Sequence, residues 1–208
     1  MGATAIGLTV PTVAANPAEY IDLALEVSGG PLQRDHSLAL WEAIVTVSPA
    51  LADDETVAIL PVRAAAGGEG RLVLQRRSRL LMRLRESRVE TVLGLCGRSI
   101  EVAGRKVDFG AAKTRPLAPH ATLYAYRVAA TIDDEAQFVR EAGHGLAELG
   151  IRTEFIVGKR SATRGPLGEL AGFSLMLTEL TARESLGLQA SGLGAHRRLG
   201  FGIFVGHK

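Results

Sequence analysis

The hydrophobic and polar positions follow two periods along the chain, one typical of strands and one typical of helices. This pattern predicts a mixed fold of strands and helices. Residues 20–27 alternate with a period of two, as expected for a strand with one buried face. Residues 35–48 carry apolar side chains at helical spacing, and Pro49 ends that pattern. The elements predicted for the first half are strand 20–27, a helix from Asp35 as N-cap to Ser48, strands 57–63, 71–76 and 78–85, helix 88–95, and strands 98–103 and 105–109.

The same order of elements restarts in the second half of the chain, after a Pro- and Ala-rich segment at 111–120. The elements predicted there are strand 122–132, helix 134–149 capped by Asp133 or Asp134, strand 151–157, loop 158–170, strand 172–178, helix 181–190 and strand 201–205. Each half therefore predicts one βαββαβ unit, the ferredoxin-like motif. The expected fold is α+β with two tandem ferredoxin-like domains. The expected divisions are an N-terminal arm at 1–18, domains at 19–110 and 121–208, and a linker at 111–120.

Composition narrows the class of protein. The 208 residues suffice for one large or two small domains. The single cysteine, Cys96, excludes an internal disulfide and a multi-cysteine zinc site. No apolar run reaches the ~20 residues of a membrane helix, and the first 18 residues lack the positive charge of a secretory signal. We therefore expect a cytoplasmic protein that uses no metal or cofactor and does not bind membranes.

The net charge of +2 hides an uneven distribution. Residues 19–61 carry eight acidic side chains and one basic one, whereas residues 71–115 carry twelve basic and four acidic ones. Of the 24 basic residues, 20 are arginines, which suit forked recognition of phosphates, although genomic base composition could give the same excess. A near-neutral chain with one basic segment is able to bind a polyanion.

The most specific motif is the segment 192–202, GLGAHRRLGFG, between the last predicted helix and the last strand. Its glycines allow close approach of the backbone to a ligand, and its two arginines suit a phosphate backbone. The alternative is a flexible connection with incidental charge. The segment only begins like a dinucleotide-binding fingerprint, because Arg197 occupies the last glycine position and a strand follows instead of a helix.

A glycine-rich loop that closes a second ferredoxin-like unit resembles the C-terminal loop of the RAMP superfamily of CRISPR-associated proteins. Within that superfamily the chain is most similar to the endoribonucleases that process precursor CRISPR RNA, in particular the myxobacterial-type subgroup. The resemblance covers about residues 19–206. The segments that carry it are YIDLALEVSG, LQRDHSLALWEAI, SRLLMRLR, LAPHATLYAYRV and ESLGLQASGLGAHRRLGFGIFV.

The resemblance implies a specific reaction. The partner is CRISPR repeat RNA, cut without a metal ion by attack of a 2′-hydroxyl on the adjacent phosphate. The products are a 2′,3′-cyclic phosphate and a 5′-hydroxyl, and the product stays bound. A histidine near the first helix usually transfers the proton in this family, and His36 stands there, so its position favours the nuclease branch.

The residues support His36 independently. Histidine titrates nearest neutral pH, and the N-terminal end of a helix favours the neutral imidazole that a general base needs. A surface histidine in a first helical turn is the structural alternative, and the role of acid or base stays open. His196, in the glycine-rich loop, competes for chemistry or RNA contact. The family often pairs its histidine with a Tyr or Lys, for which Tyr20 and Lys159 are the candidates.

The candidate RNA-binding surface combines the predicted strand 78–85 with the second-half loops. Arginines at alternate positions of a strand could follow the phosphates of an RNA hairpin, or could simply face solvent. With 5% aromatic residues, the sequence predicts little stacking of unpaired bases. The candidate RNA-binding residues are Arg76, Arg77, Arg79, Arg83, Arg85, Lys159, Arg160, Gly192, Gly194, His196, Arg197 and Arg198. Arg197, Arg198 or Lys159 could also stabilise the phosphorane.

Two other functions compete with the endoribonuclease. A non-catalytic RAMP subunit would bind CRISPR RNA in an effector complex without cutting it, and other subunits of such a complex are further candidate partners. A tandem ferredoxin-like protein that binds small ligands or mediates assembly would have no affinity for RNA.

Overall fold

The computed structural model describes residues 15–207. Its strands are β1 (Tyr20–Gly29), β2 (Leu32–Gln33), β3 (Ala58–Arg63), β4 (Ala65–Ala66), β5 (Arg71–Val73), β6 (Arg79–Arg85), β7 (Ser99–Val102), β8 (Arg105–Pro116), β9 (Leu123–Ala129), β10 (Phe155–Gly165), β11 (Gly168–Leu177) and β12 (Phe204–Gly206). Its helices are α1 (Ser37–Val47), α2 (Val89–Leu93), α3 (Glu135–Glu148) and α4 (Ala182–Ser191). The expected arm at 1–18 lies mostly outside the described residues, and its last part enters a 3-10 turn at Pro17–Glu19.

Strand order confirms the two ferredoxin-like units. The first sheet has the order β3-β6-β1-β8-β7, and the second has the order β10-β11-β9-β12. In both sheets the first strand of the unit lies between its third and last strands, which is the ferredoxin-like arrangement. The short strands β2, β5 and β4 form a separate three-stranded sheet beside the first unit.

Each unit has its own hydrophobic core between its helices and one face of its sheet. In the first core, Leu23 and Leu25 of β1 and Ile44 of α1 are all fully buried. In the second core, the rings of Phe138 on α3 and Phe173 on β11 pack with centroids 4.9 Å apart. The α3 N-terminus is capped by Asp134, whose carboxylate accepts a hydrogen bond from the Gln137 amide at 2.6 Å.

A buried arginine joins the two units. Arg83 of β6 donates to Asp22 of β1 at 2.7 Å, and its guanidinium also donates to the carbonyls of Gln189 at 3.0 Å and Phe204 at 2.7 Å in the second unit. Only 1% of Arg83 is exposed. The prediction that Arg83 contacts RNA from an open strand face is therefore wrong, because this face of the first sheet is covered by the second unit.

Three differences between the predicted and the observed elements bear on the candidate site. Residues 111–116 belong to β8 and pair with β1, so the expected linker at 111–120 begins only after Pro116. The expected loop at 158–170 is the β10–β11 hairpin, where nine residue pairs are in antiparallel register. Asp35 does not cap α1. Instead, His36 occupies the N-cap position without a capping side-chain bond, and the Asp35 carboxylate turns to the second unit.

The part of the chain that the structure describes contains no helix both long and apolar enough to span a membrane.

Candidate functional site

The loop between β2 and α1 holds His36 in a buried position at the boundary of the two units. The Val62 amide of β3 donates to Nε2 of His36 at 3.0 Å. Because Nε2 accepts, Nδ1 carries the proton, and it lies 2.9 Å from the Gln33 carbonyl and 3.2 Å from the Arg34 carbonyl. Only 2% of His36 is exposed. In this conformation both ring nitrogens are therefore occupied by protein groups.

The surroundings of His36 favour its neutral form. Burial lowers the pKa of the imidazole below its ordinary value of 6.5, and the positive charge of Arg127 lowers the pKa further. The hydrogen bonds to the Gln33 and Arg34 carbonyls and the charge of Asp35 oppose this decrease without cancelling it. The ring is therefore a neutral imidazole near pH 7, as a general base must be, but its lone pair is bound to Val62.

Asp35 ties this loop to the second unit. Its carboxylate accepts hydrogen bonds from the Thr163 hydroxyl and, at 2.9 Å, from the Arg164 amide, both on β10. Asp35 and Arg127 also attract each other, and this attraction raises the pKa of Arg127, although burial lowers it more. The loop that carries His36 is thus held between β3 of its own unit and β10 of the other.

A β-bulge in β9 brings Arg127 to this boundary. Ala125 and Val128 are both fully buried in the second core, so the two residues between them, Tyr126 and Arg127, interrupt the alternation of the strand. The register of β9 with β11 shifts at the same place. The Arg127 guanidinium lies 5.2 Å from the centroid of the Phe201 ring in the glycine-rich loop.

The glycine-rich loop at 192–202 packs tightly against both units. Its Gly202 amide donates to the Arg127 carbonyl at 2.8 Å. Gly200 has a φ of +89°, and a Cβ there would lie 2.7 Å from the Pro61 ring of the first unit. Leu199 and Phe201 are buried at the boundary, in contact with Trp41 of α1. The glycines therefore serve close packing of the loop, and the alternative of a flexible connection is wrong.

The three basic residues of this loop have different environments. His196 is exposed, with a φ of +64°, and partial burial of its ring lowers its pKa. The Arg198 guanidinium lies 5.2 Å from the centroid of the Trp41 ring. Arg197 turns inward and donates to the Ser191 carbonyl at 2.9 Å, while its Nε and Nη2 atoms are buried without a hydrogen-bond partner. Burial and the neighbouring Arg83 lower the pKa of Arg197 to about 10.

The inward orientation of Arg197 contradicts its predicted contact with RNA, because its guanidinium atoms are covered by protein. Gly192 is also buried, and its amide donates to the Leu188 carbonyl at the end of α4, so that amide is not free for a phosphate. Gly194 is half-buried, with a φ of +77°. Of the three basic residues in this loop, His196 and Arg198 are therefore the two whose side chains are at least partly exposed.

The structure does not bring Tyr20 to His36. Tyr20 begins β1, whereas His36 follows the other end of that strand, and ten residues of strand span about 30 Å. Lys159 lies on β10, in the segment where the register with β11 shifts. Arg160, beside it, is engaged by the Asp133 carboxylate at 2.5 Å.

The remaining arginines do not form one continuous face. Arg76 and Arg77 are exposed in the turn before β6, and Arg79 is paired with Glu26 at 2.8 Å. Arg85 is exposed at the far end of β6, paired in register with Tyr20. Of the predicted arginines of the first unit, the exposed ones at the β1 end that leads to His36 are therefore those of the turn before β6.

Two candidate residues beside this site were not identified by the sequence analysis. Arg127 and Tyr126 stand between the buried Ala125 and Val128, and the two consecutive outward positions in an otherwise alternating strand were the available signal. The partner of Asp35, Thr163, had no such signal, because the contact joins residues 128 positions apart. Among residues 15–207, no three His, Cys, Asp or Glu side chains are grouped so that they could hold a metal ion.

The chain matches known proteins over most of its length. It is 34% identical over 189 residues to the CRISPR-associated endonuclease Cas6 of Myxococcus xanthus DK1622, an alignment that covers 89% of this chain and 81% of that protein. Among solved structures, a Cas6-related protein from Pyrococcus furiosus has a TM-score of 0.63 at 10% identity, covering 89% of this chain and 98% of that one. The endoribonuclease Cse3 bound to a 19-nucleotide RNA has a TM-score of 0.53 at 14% identity, covering 90% and 98%.

The family model described as Cas6 Crispr matches residues 21–208. This match covers both ferredoxin-like units and the glycine-rich loop between α4 and β12. The chain belongs to the Cas6 family of CRISPR-associated proteins.

Proposed function

We propose that this protein is an endoribonuclease that cleaves precursor CRISPR RNA within the repeat. The observation that carries the proposal is the boundary between the two units, where a neutral imidazole, His36, lies beside Arg127 and the glycine-rich loop in a chain of the Cas6 family. The 34% identity to a CRISPR-associated endonuclease supports the activity, and the likeness in fold to Cse3 bound to RNA is consistent with it.

The proposed reaction is a transesterification without a metal ion. A base removes the proton of the 2′-hydroxyl, the oxygen attacks the adjacent phosphate, and an acid protonates the departing 5′-oxygen. The products are a 2′,3′-cyclic phosphate and a 5′-hydroxyl. Arg127 and Arg198, with Lys159 farther along β10, are the cations that would hold the phosphates around the cut.

His36 is the proposed proton-transfer residue. To act, its ring must exchange the hydrogen bond from the Val62 amide for one to RNA. An unsatisfied buried amide costs about 1–3 kcal/mol, which is within the range that contacts with a bound RNA supply. His196 is the competing assignment, because its ring is exposed in the same region and needs no such exchange.

The test is cleavage of the cognate repeat RNA in excess EDTA. We expect the wild type to cut, and His36→Gln to lose about 10²–10⁴-fold in rate while it retains RNA binding. Gln is the matched replacement because its amide is able to keep the bonds to Val62 and Gln33. His196→Gln should keep most of the rate. A loss of cleavage rate in His196→Gln alone would assign the proton transfer to His196 in the glycine-rich loop.

A strict requirement for Mg²⁺ would contradict the proposed mechanism. Tight binding without cutting, unaffected by His36→Gln, would identify the chain as a non-catalytic RNA-binding subunit instead.

A further inference from the structure

The face of the second sheet that points away from its helices carries a row of apolar and aromatic side chains. Ile156, Met176, Tyr124 and Val205 are paired in register across β10, β11, β9 and β12, so they share one face. Their neighbours in each strand, such as Leu175, fill the helical core. At one end of the row Val205 packs against the buried cluster that contains Leu60 of the first unit, whereas Ile156 at the other end is 58% exposed.

A second tyrosine extends this row toward the candidate site. Tyr126 is 43% exposed, and its ring meets that of Tyr124 edge to face, with centroids 4.9 Å apart. The His207 ring lies on the other side, 5.7 Å from Tyr124. Two of the three tyrosines of the chain therefore stand together on an open sheet face, where we had expected little aromatic stacking.

Two bulges place cations beside the aromatic row. In β9 the bulge sets Tyr126 directly next to Arg127, which lies at the candidate site. In β10 the register shifts over Gly158 and Lys159. Both bulges oppose the same residue of β11, Ser174, because Phe173 and Leu175 on either side keep their register with both neighbours. The backbone positions of Lys159 and Arg127 are therefore aligned across the sheet, two strands or about 10 Å apart.

We propose that this face, defined by Tyr124, Tyr126, Arg127 and Lys159, binds unpaired nucleotides of the repeat RNA by stacking. Every base has an apolar face that stacks on an exposed tyrosine, and the phosphates of the same strand are attracted to cations that flank the rings. The proposal rests on the proposed function, since its ligand is the same RNA. Continuity with Arg127 places the stacked nucleotides next to the phosphate that is cut.

Charge complementarity selects RNA over a protein partner for this face. An apolar protein surface would gain little from the cations at both bulges, whereas a single RNA strand uses the rings and the cations together. The stacked base must be unpaired, because a base within a duplex does not present its face.

The experiment measures binding of repeat RNA that carries a single 2′-deoxy nucleotide at the cut, so that it is not consumed. 2-Aminopurine is placed in turn at each nucleotide outside any stem. We expect Tyr126→Ala to weaken binding about 5- to 100-fold and to remove the fluorescence change at one of these positions. Tyr126→Phe, which keeps the ring, should bind within about twofold of the wild type.

The matched control is Val139→Ala, an exposed apolar residue on α3 at the helical side of the same unit, which should bind like the wild type. Lys159→Ala should reduce the slope of log affinity against log salt by about one, whereas Tyr126→Ala should leave the slope unchanged. If the wild type binds and cuts the RNA but Tyr126→Ala binds it equally well, the stacking proposal is contradicted and the proposed function is not. If the wild type does not bind the repeat, both proposals fail.

Discussion

At the scale of single residues, the environment of His36 decides what that side chain is able to do. The Val62 amide fixes the tautomer, the Gln33 and Arg34 carbonyls accept hydrogen bonds from the Nδ1–H group, and Arg127 adds a nearby positive charge. Burial, the occupied Nε2 and the charge of Arg127 make protonation of the folded protein unfavourable, and the two carbonyls offset this only in part. His36 therefore contributes to stability as well as to the proposed chemistry, and the two contributions are separable.

The first prediction concerns the pH dependence of stability. In the folded chain the pKa of His36 is lowered below 6.5. As the pH falls below about 6.5, the unfolded chain therefore binds a proton at His36 that the folded chain does not bind. The free energy of unfolding should therefore decrease from neutral pH toward that lowered pKa. His36→Gln should remove this part of the decrease, as measured by urea unfolding at a series of pH values.

The control for this experiment is His144→Gln, which changes an exposed histidine on α3 and should retain the decrease. An unchanged pH dependence in His36→Gln would show that the imidazole is not held neutral. His36→Ala, which leaves the Val62 amide without an acceptor, should lower the free energy of unfolding by about 1–3 kcal/mol.

At the scale of elements, the glycine-rich loop packs tightly between the two units. It holds Arg127 through the Gly202 amide, and it fits against β3 of the first unit at Gly200. A side chain at Gly200 would meet the Pro61 ring and would also need a left-handed backbone. The conformation of the loop and the position of His196 therefore depend on the absence of that side chain.

The second prediction follows from this fit. Gly200→Ala should lower the free energy of unfolding by about 1–3 kcal/mol and should reduce RNA cleavage, because the loop must move away from Pro61. Gly68→Ala is the matched control, since a Cβ at Gly68 meets nothing within 4 Å. Thermal unfolding and cleavage assays measure the two effects. Equal behaviour of the two variants would contradict a packed loop.

At the scale of the whole molecule, a buried arginine connects the two units. Arg83 satisfies Asp22 in its own sheet and two carbonyls, at Gln189 and Phe204, in the other unit. Arg115 adds a second, more exposed contact to Asp22 at 3.3 Å. Since the candidate site is built from both units, we expect this arginine to help fix the geometry of the site from a distance.

The third prediction tests this connection. Arg83→Ala leaves Asp22 buried with one fewer partner and two carbonyls without donors, so the free energy of unfolding should fall by about 3–5 kcal/mol. Arg77→Ala, in the exposed turn before β6, is the control and should leave stability unchanged. Chemical denaturation measures both variants. An Arg83→Ala protein as stable as the wild type would contradict a stabilising role of this buried connection.

The sequence predicted the fold well because its main signals are local. Alternation in β1 and the helical stripe of α3 identify their elements, and their order identifies the ferredoxin-like units. The site was predicted less well, because it depends on contacts between distant residues. Arg83 looked like an exposed strand residue until the second unit covered it, and Asp35 looked like a helix cap although it binds Thr163.

The most direct test of the central claim compares two RNAs in excess EDTA. One is the all-ribose repeat, and the other differs only by a 2′-deoxy nucleotide immediately 5′ of the cut. The account predicts that the wild-type protein cleaves the first to a 2′,3′-cyclic phosphate and a 5′-hydroxyl and binds the second equally tightly without cleaving it. Cleavage of the deoxy-substituted RNA at the same position would contradict attack by the 2′-hydroxyl and the proton-transfer role proposed for His36.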